Sequence, residues 1–299
     1  MANVMDIARS AIGAYRTALS VTSENIANVN TEGYRRRDVL TSQIGGAQTT
    51  VTTVATGGQG VKVDMIRRAF DSLMSERLRT STSDVSSATV TLDATRAVES
   101  ALLPNTGGID AALENFFAST GSLASSPADT SLRRVVIEAG RTLASAFQGI
   151  AAGLLRLRDD TVAAAELSAQ HATNDLHDLN ELQLRFTSNA GTMGALNPLH
   201  DERDRLLSSL AEHLGITVDL DPAGRATVSL GVTGGGPILL GEGGPANLTV
   251  TGEPDLTLRI ARDGSVTESR MIGTGALGGY VAALGAIDAT LQEVDALAR

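Results

Sequence analysis

Between Ala128 and Thr187 no proline occurs, and apolar side chains return every three or four positions. Leu143, Phe147, Ile150, Leu154 and Leu157 step by four, three, four and three, and Leu176, Leu179, Leu182 and Phe186 extend the series. Such spacing aligns side chains along one stripe of an α-helix and is incompatible with the two-residue period of a strand. At 1.5 Å per residue a helix of this length reaches roughly 85–90 Å. Helices that long serve rods, bundles and coiled coils, or form the long core helix of a helical bundle.

Composition agrees with a helical core. Hydrophobic residues make up 42% of the 299, aromatic residues 3%, and tryptophan is absent. The interior must therefore be filled by Ala, Leu, Val and Ile, which suits closely packed helices better than a broad β-sandwich. The net charge of -10 disfavours nucleic acid and anionic membrane as partners, because both repel an acidic chain. With no cysteine, disulfides, thiolate metal sites and a cysteine nucleophile are excluded together. Lys62 is the single lysine, which leaves little room for amine chemistry. The N-terminus lacks the basic cap and apolar run of a signal peptide, and no apolar stretch is long enough to span a membrane.

The rest of the chain divides by period. Val4, Ala8, Ile12, Tyr15, Leu19, Thr22 and Ile26 share one face of a helix over residues 3–27, with a mean step of about 3.7. Alone in water such a helix is marginal, so the face predicts packing, either within the chain or against a partner. Residues 28–60 are rich in Asn and Gly and read as turns, with a β-branched run at 49–56 that is a strand or an arm. Gly60–Ile66 alternates as a short strand. Residues 67–103 return to helix with a weak stripe (Phe70, Leu73, Met74, Leu78, Val85, Leu92, Val98), and Pro104–Gly108 ends it. A further helix spans Ile109 to about Leu123, and Ser125-Ser126-Pro127 breaks the chain before the long helix. Asn189–Pro198 reads as a loop and His200–Leu214 as a charged helix capped by Gly215. The period then changes to two, giving short strands at 216–220, 226–230, 237–240, 248–250 and 256–260, with hairpin turns at Asp221–Gly224 and Arg262–Gly264. Residues 276–299 are helical again.

The expected fold is α+β and mainly α: an elongated bundle of long helices with a small antiparallel β-region near 216–272 and a C-terminal helix. The expected organisation is an N-terminal axial helix with an extended arm (1–60), a long-helix bundle (61–215), and a β-region with a returning helix packed on the bundle (216–299).

Chemical motifs are thin. Gly273-Thr274-Gly275-Ala276-Leu277-Gly278 is a literal GxGxxG, but no strand and acidic residue follow its helix as a dinucleotide site requires. Gly234-Gly235-Gly236-Pro237, between strand patterns, reads as a hairpin turn. His171, Asp175 and Asp178 share one helix face at i, i+4 and i+7; a solvated polar face accounts for them better than a metal site. Asp201, Glu202, Arg203, Asp204 and Arg205 alternate in sign, as i,i+4 pairs on a surface helix do. No GxSxG nucleophile motif occurs. No catalytic, cofactor or metal residue is assigned, and the chain is not read as an enzyme.

Residues 23–36, SENIANVNTEGYRR, closely resemble the N-terminal motif of flagellar axial proteins, the family of rod, hook and hook-associated subunits. The matching positions are Asn25, Ile26, Ala27, Asn28, Thr31, Gly33, Tyr34 and Arg35; Glu24 replaces a common Asn, and Arg36 and Arg37 add charge. Each has a physical reading. Asn28 tolerates a left-handed backbone and can stop the helix. Gly33 permits a turn that a β-carbon hinders. Tyr34 and Arg35 offer an amphipathic ring and a multivalent donor suited to subunit contacts. A second segment, Asn197–Leu207 with Leu210 and Leu214-Gly215-Ile216, is similar to a stretch of the hook-associated branch, as is the Gly273–Gly279 run. The long helix argues against rod and hook subunits, which turn to β structure early.

The resemblance implies a structural role at the hook–filament junction of the extracellular flagellum, after type III export without signal cleavage. The implied partners are hook protein, a second hook–filament junction protein, other copies of the chain in a ring, and an export chaperone that holds the C-terminal segment. The implied assembly interface comprises Val4, Ala8, Ile12, Tyr15, Leu19 and Ile26 with the motif residues Asn25, Asn28, Gly33, Tyr34 and Arg35. In the family the two terminal helices pair. The returning C-terminal partner is expected to lie outside these 299 residues, leaving residues 1–27 without their native contact in an isolated molecule.

Overall fold

A computed structural model describes residues 4–31, 33–45, 59–103, 108–188, 196–252, 255–270 and 272–299. In chain order the elements are α1 (Val4–Ala27), β1 (Arg37–Gln43), β2 (Val61–Arg68), α2 (Ser72–Leu102), α3 (Ile109–Ser125), α4 (Thr130–Ser188) and α5 (Leu196–His213). There follow β3 (Ile216–Leu220), β4 (Ala226–Leu230), β5 (Ile238–Gly241), β6 (Gly244–Pro245), β7 (Asn247–Thr251), β8 (Thr257–Arg262), β9 (Ser265–Ser269) and α6 (Gly275–Ala298). The fold is α+β and mainly helical, as expected.

The proline-free stretch forms one helix. α4 runs for 59 residues without interruption, about 88 Å at the standard rise. Its buried stripe, Ala165, Ala169, Ala172, Leu176, Leu179, Leu182 and Phe186, keeps the three-to-four spacing. Around this C-terminal half collect α5, β3 to β8 and the start of α6, forming the larger core cluster. The β-region is tied to the helix by polar contacts as well: the Leu248 backbone N–H donates to Thr173 Oγ1 at 3.0 Å. Nearer its N-terminus, α4 offers Ile150 and Leu154 to Ile287 and Val294 of α6, with Val98, Leu102, Ile109 and Leu291 around them. α4 and α6 thus run through both clusters.

Gly149 and Gly153 lie in α4 where an added β-carbon would meet nothing within 4 Å. Glycine in a helix interior costs about 0.5–1 kcal/mol relative to alanine through backbone entropy. Gly149→Ala and Gly153→Ala are therefore each expected to raise the stability by about that amount, read as a higher urea midpoint at unchanged slope.

Among the described residues every strand pair is antiparallel. β1 and β2 form a two-stranded sheet, β3-β4-β5-β6 a four-stranded one, and β7-β8-β9 a three-stranded one. Alternation sets the faces: Ala226, Val228 and Leu230 of β4, and Leu258 and Ile260 of β8, point inward. The expected hairpin turns form. Asp263 and Gly264 adopt φ of 50° and 72° between β8 and β9, the paired positive values of a tight two-residue turn. Asp221 holds the β3–β4 turn by accepting from the Arg225 backbone N–H at 2.8 Å and from Arg225 Nε at 2.7 Å.

Some readings change. α5 begins at Leu196 rather than His200, so residues 196–198 are helical and not loop. Pro198 stands in the first turn, where a missing N–H leaves no intrahelical bond unmade. β1, β6 and β9 had no strand reading: β1 lacks alternation, β6 is two residues long, and β9 is exposed apart from its last residue. The weak stripe of α2 points mostly outward; the helix buries Ser75 and Ser83 instead. The β-branched run at 49–56, the break at 104–107 and the segment 189–195 lie outside the described residues.

The glycine run at 273–279 serves close packing. Gly275, at φ 77°, would bring a β-carbon within 2.6 Å of the His213 carbonyl, and Gly278 would bring one within 2.9 Å of Gly273. Gly279 faces α2, where a β-carbon would stand 2.7 Å from both the Ser87 carbonyl oxygen and Val90 Cβ. The literal GxGxxG therefore lets α6 start against the end of α5, and Gly279 just after it lets α6 cross α2 at short range.

Candidate assembly interface and the clamp behind it

α1 rests on the β1–β2 hairpin through Ala14 and Val21, its two buried residues. Gly60 fits against this side of the helix next to Ser10, and Ser10 Oγ accepts from the Val61 backbone N–H at 3.1 Å. The opposite side is uncovered. Val4, Ala8, Ile12, Tyr15, Leu19 and Ile26 are all exposed, Tyr15 at 72% and Ile26 at 71%. Six residues on one face, mostly large and apolar, are left in water.

The motif residues do different work. Asn25 is half-buried and ties the helix end to the arm. Its Oδ1 accepts from Tyr34 Oη and from the Arg37 backbone N–H, both at 2.9 Å, and its Nδ2 donates to the Arg37 carbonyl at 2.9 Å. Arg37 lies over the Tyr34 ring, 5.0 Å from its centroid. Burial pushes the Tyr34 hydroxyl pKa up, with Arg37 opposing. Asn28 ends the helix by a different route from the expected one. Among the described residues only Asp263 combines a side chain with positive φ, so Asn28 is not left-handed. Its Nδ2 instead donates to the Glu24 carbonyl at 2.9 Å, and its Oδ1 accepts from Thr31 Oγ1 at 3.1 Å. Gly33 does take positive φ, 78°, and lies close to α5, where a β-carbon would sit 3.4 Å from Arg205 Cβ. Arg35 lines a groove of about 480 Å³ with Asp38, Arg67, Phe70, Met74 and Leu78.

Behind this knot lies a charge cluster that departs from the expected surface ladder. The run Asp201–Arg205 is not a simple surface ladder. Glu202 and Arg205 do pair on the surface at 2.6 Å, but Arg203 and Asp204 are buried, Arg203 at 2% exposure. Arg68, at the end of β2, donates through Nε to Asp201 at 2.6 Å and through Nη2 to Asp204. Arg37 of β1 reaches Asp201 at 3.2 Å. Arg203 pairs with Asp204 at 2.7 Å and donates to the Gly224 carbonyl at 2.7 Å. Asn197 adds a bond to the Ile66 carbonyl at 3.1 Å. Two arginines from the hairpin and two aspartates from α5 thus clamp the α1 arm to the bundle. Burial alone would raise the Asp204 carboxyl pKa, but the Arg203 and Arg68 guanidiniums outweigh it and hold the group below its ordinary value. Arg79 of α2 stands nearby with its pKa lowered by burial and partly restored by Asp204.

Arg37, Arg68, Asp201, Arg203 and Asp204 were not assigned as site residues. The available signal was the odd third arginine after Tyr34 and the pairing of Asp201 with Asp204 three residues apart on one helix face. His171, Asp175 and Asp178 do not converge on an ion, and no group of described residues is arranged to hold a metal. His171 stacks on His213 at 5.7 Å, and burial raises the Asp175 pKa. No described helix is long and apolar enough to cross a membrane.

Comparison with known proteins meets this geometry at both ends. Residues 95–299 match the family model described as "Flagellar hook-associated protein FlgK helical domain", and residues 5–35 match that of "Flagella basal body rod protein". Flagellar hook-associated protein 1 of Escherichia coli K12 is 25% identical over 291 residues, covering 94% of this chain and 52% of that protein. The protein of the same name from Bacillus subtilis 168 is 27% identical over 229 residues, covering 74% of this chain and 44% of that one. The chain spans about half the length of these curated relatives. The flagellar hook junction protein FlgK of Burkholderia pseudomallei superposes with a TM-score of 0.60 at 22% identity, over 71% of this chain and 39% of that structure. At that identity the likeness establishes the fold.

Proposed function

The chain belongs to the flagellar hook-associated protein FlgK family, and from that premise we propose that it is a structural subunit joining hook to filament. The observation that carries the proposal is the family match over residues 95–299, the helical body of the molecule. The uncovered face of α1 supports it, because a helix that leaves Val4, Ala8, Ile12, Tyr15, Leu19 and Ile26 in water is built to be covered in an assembly. On this reading the arm is the assembly segment. Asn25, Asn28, Gly33, Tyr34 and Arg35 shape its end, and the arginine–aspartate clamp fixes its angle to the body. We carry the three-part organisation, 1–60, 61–215 and 216–299, within the same proposal.

The molecule then acts outside the cell, in the flagellum, after export by the flagellar type III system. Its partners are hook protein below, a second junction protein above, further copies around a ring, and an export chaperone beforehand. Its role is mechanical and involves no catalysis.

Deletion of the gene tests this directly. The expected phenotype is hooks without filaments, with monomeric flagellin shed into the medium; normal filaments would overturn the proposal. The rod-protein match over residues 5–35 favours a second reading, a rod or hook subunit. In that case deletion removes the hooks too.

A further inference from the structure

α5 presses a histidine ring against α4 at each of its ends. His200, in its first turns, lies on the Phe186 ring with 4.9 Å between centroids, and His213, its last residue, stacks on His171. The two rings differ in what their nitrogens meet. His213 Nδ1 is 2.9 Å from Ser168 Oγ, and a hydroxyl can donate or accept, so that contact survives protonation. His200 Nδ1 is 3.3 Å from Arg203 Nη1. A guanidinium only donates, so His200 Nδ1 is the bare, accepting nitrogen of a neutral ring. A second proton on this ring sets two donors face to face. The ring has little room to turn aside: Phe186 covers one side, and a β-carbon on Gly224 of the β3–β4 turn would collide with Cε1. Arg203 is just as confined, buried at 2% exposure and held by Asp204 and the Gly224 carbonyl.

We propose that His200 is the proton-sensitive element of the clamp: its protonation pushes Arg203 away, sets a surplus cation beside Asp201 and Asp204, and loosens the hold of α5 on the α1 arm. The surrounding charges are already matched. Asp201 pairs with Arg68 and Arg37, Asp204 with Arg68 and Arg203, and Glu24 with Arg37. On the β3–β4 turn Asp221 and Arg225 pair with each other. On α2, Arg79 stands beside Asp204 and is partly offset by Glu76. Against the ring, α4 presents Phe186, which carries no charge. Among the described residues, a protonated His200 therefore meets only carboxylates that a guanidinium already holds, and it competes with Arg68 and Arg37 for them. Burial, Arg203 and Arg68 hold the His200 pKa below 6.5, against Asp204 and Asp201. The opened state binds the extra proton more readily. The clamp is thus fully closed above 6.5 and weakens as pH falls from there through the folded midpoint. This window lies above the one in which Asp204, held below 3.8, titrates.

The chain contains no cysteine, so introduced thiols carry labels cleanly. Spin labels at Ser23→Cys on α1 and Glu212→Cys on α5, both exposed positions, report the angle of the arm in the full chain. Between about pH 7 and pH 5 a broad component should grow in their distance distribution. Its ratio to the narrow component should rise by up to about tenfold per pH unit, the linkage of one proton. His200→Asn keeps an acceptor near the Nδ1 position without a titrating ring, and its distribution should stay constant with pH. His213→Gln, at the far end of α5, should respond as the wild type does. No growth in the wild type overturns the latch. Equal growth in His200→Asn, or its loss in His213→Gln, overturns His200 as the sensor. A second measurement needs no variant. In the unlabelled chain, the Nε–H signals of Arg203 and Arg68 should shift with the midpoint of the His200 ring signals. A His200 titration that leaves both arginine signals in place overturns the coupling.

Discussion

Arg68→Ala is expected to lower the unfolding free energy by about 3–5 kcal/mol, the range for removing one partner from a buried ion pair. The side chain is 6% exposed and satisfies two carboxylates at once, Asp201 and Asp204. Removing it leaves Asp204 with Arg203 and Asp201 with Arg37, and removes the two ion pairs that join the end of β2 to α5. The Arg68 guanidinium also lies 5.2 Å from the Phe70 ring centroid, and that contact is lost too. Urea unfolding followed by circular dichroism measures the loss; a change below about 1 kcal/mol, the level of a surface pair, would refute the clamp. Its acid response has a definite sign. The folded-state pKa of Asp204 is depressed below 3.8. Its contribution is therefore fully present above the unfolded value and disappears as pH falls through the folded one. The wild-type chain should lose more stability on acidification in that window than Arg68→Ala, whose Asp204 has lost one of its two guanidinium partners.

Gly279→Leu carries the other large effect, and its sign is what matters. Leucine is a better helix former than glycine by nearly 1 kcal/mol, so at an open site this change would stabilise α6. At Gly279 the first added carbon already falls 2.7 Å from the Ser87 carbonyl oxygen and from Val90 Cβ. The oxygen belongs to the α2 backbone and cannot rotate away. α2 and α6 must separate along their crossing, with a cost of about 3 kcal/mol or more from overpacking. Thermal unfolding should show a lowered midpoint; an unchanged or raised one would mean that the helices do not cross at this short range. Gly149→Ala, in open space on α4, serves as the control with the opposite sign.

How far the fold was legible depended on the kind of signal. α4, α6, α3 and the strands β3, β4, β7 and β8 carry period and punctuation in their own residues, so local reading reached them. β1 could not be found that way: Arg37–Gln43 has no alternation, and its strand state comes from pairing with β2 across an intervening segment. The start of α5 was hidden by Pro198, which marks a break inside a helix but is harmless in a first turn. The charged run at 201–205 misled because sign alternation along a helix is the same whether one side faces water or a buried guanidinium. Arg68 lies 133 residues before Asp201, and no local pattern joins them. Motif resemblance pointed to Asn25 and Tyr34, and the geometry gives their work: they tie the helix end to the arm, while the apolar side of α1 stays bare. Position 28 shows the limit of a residue-type argument, since asparagine can end a helix through its amide without leaving right-handed space.

The long helix has one more consequence, for how the molecule bends. Every glycine of α4 falls in its N-terminal half, at 140, 149 and 153, where the helix is accompanied by α3 and the far end of α6. From Leu154 to Ser188 there is none, and that stretch is held by the sheets and α5. Glycine weakens resistance to curvature, and bends in long helices concentrate at such positions. Under a transverse load the β-bearing end should move as a rigid block while flexure gathers between residues 140 and 153. On this expectation the β-bearing end of α4 is the stiff part of the lever and the glycine-bearing stretch its compliant root.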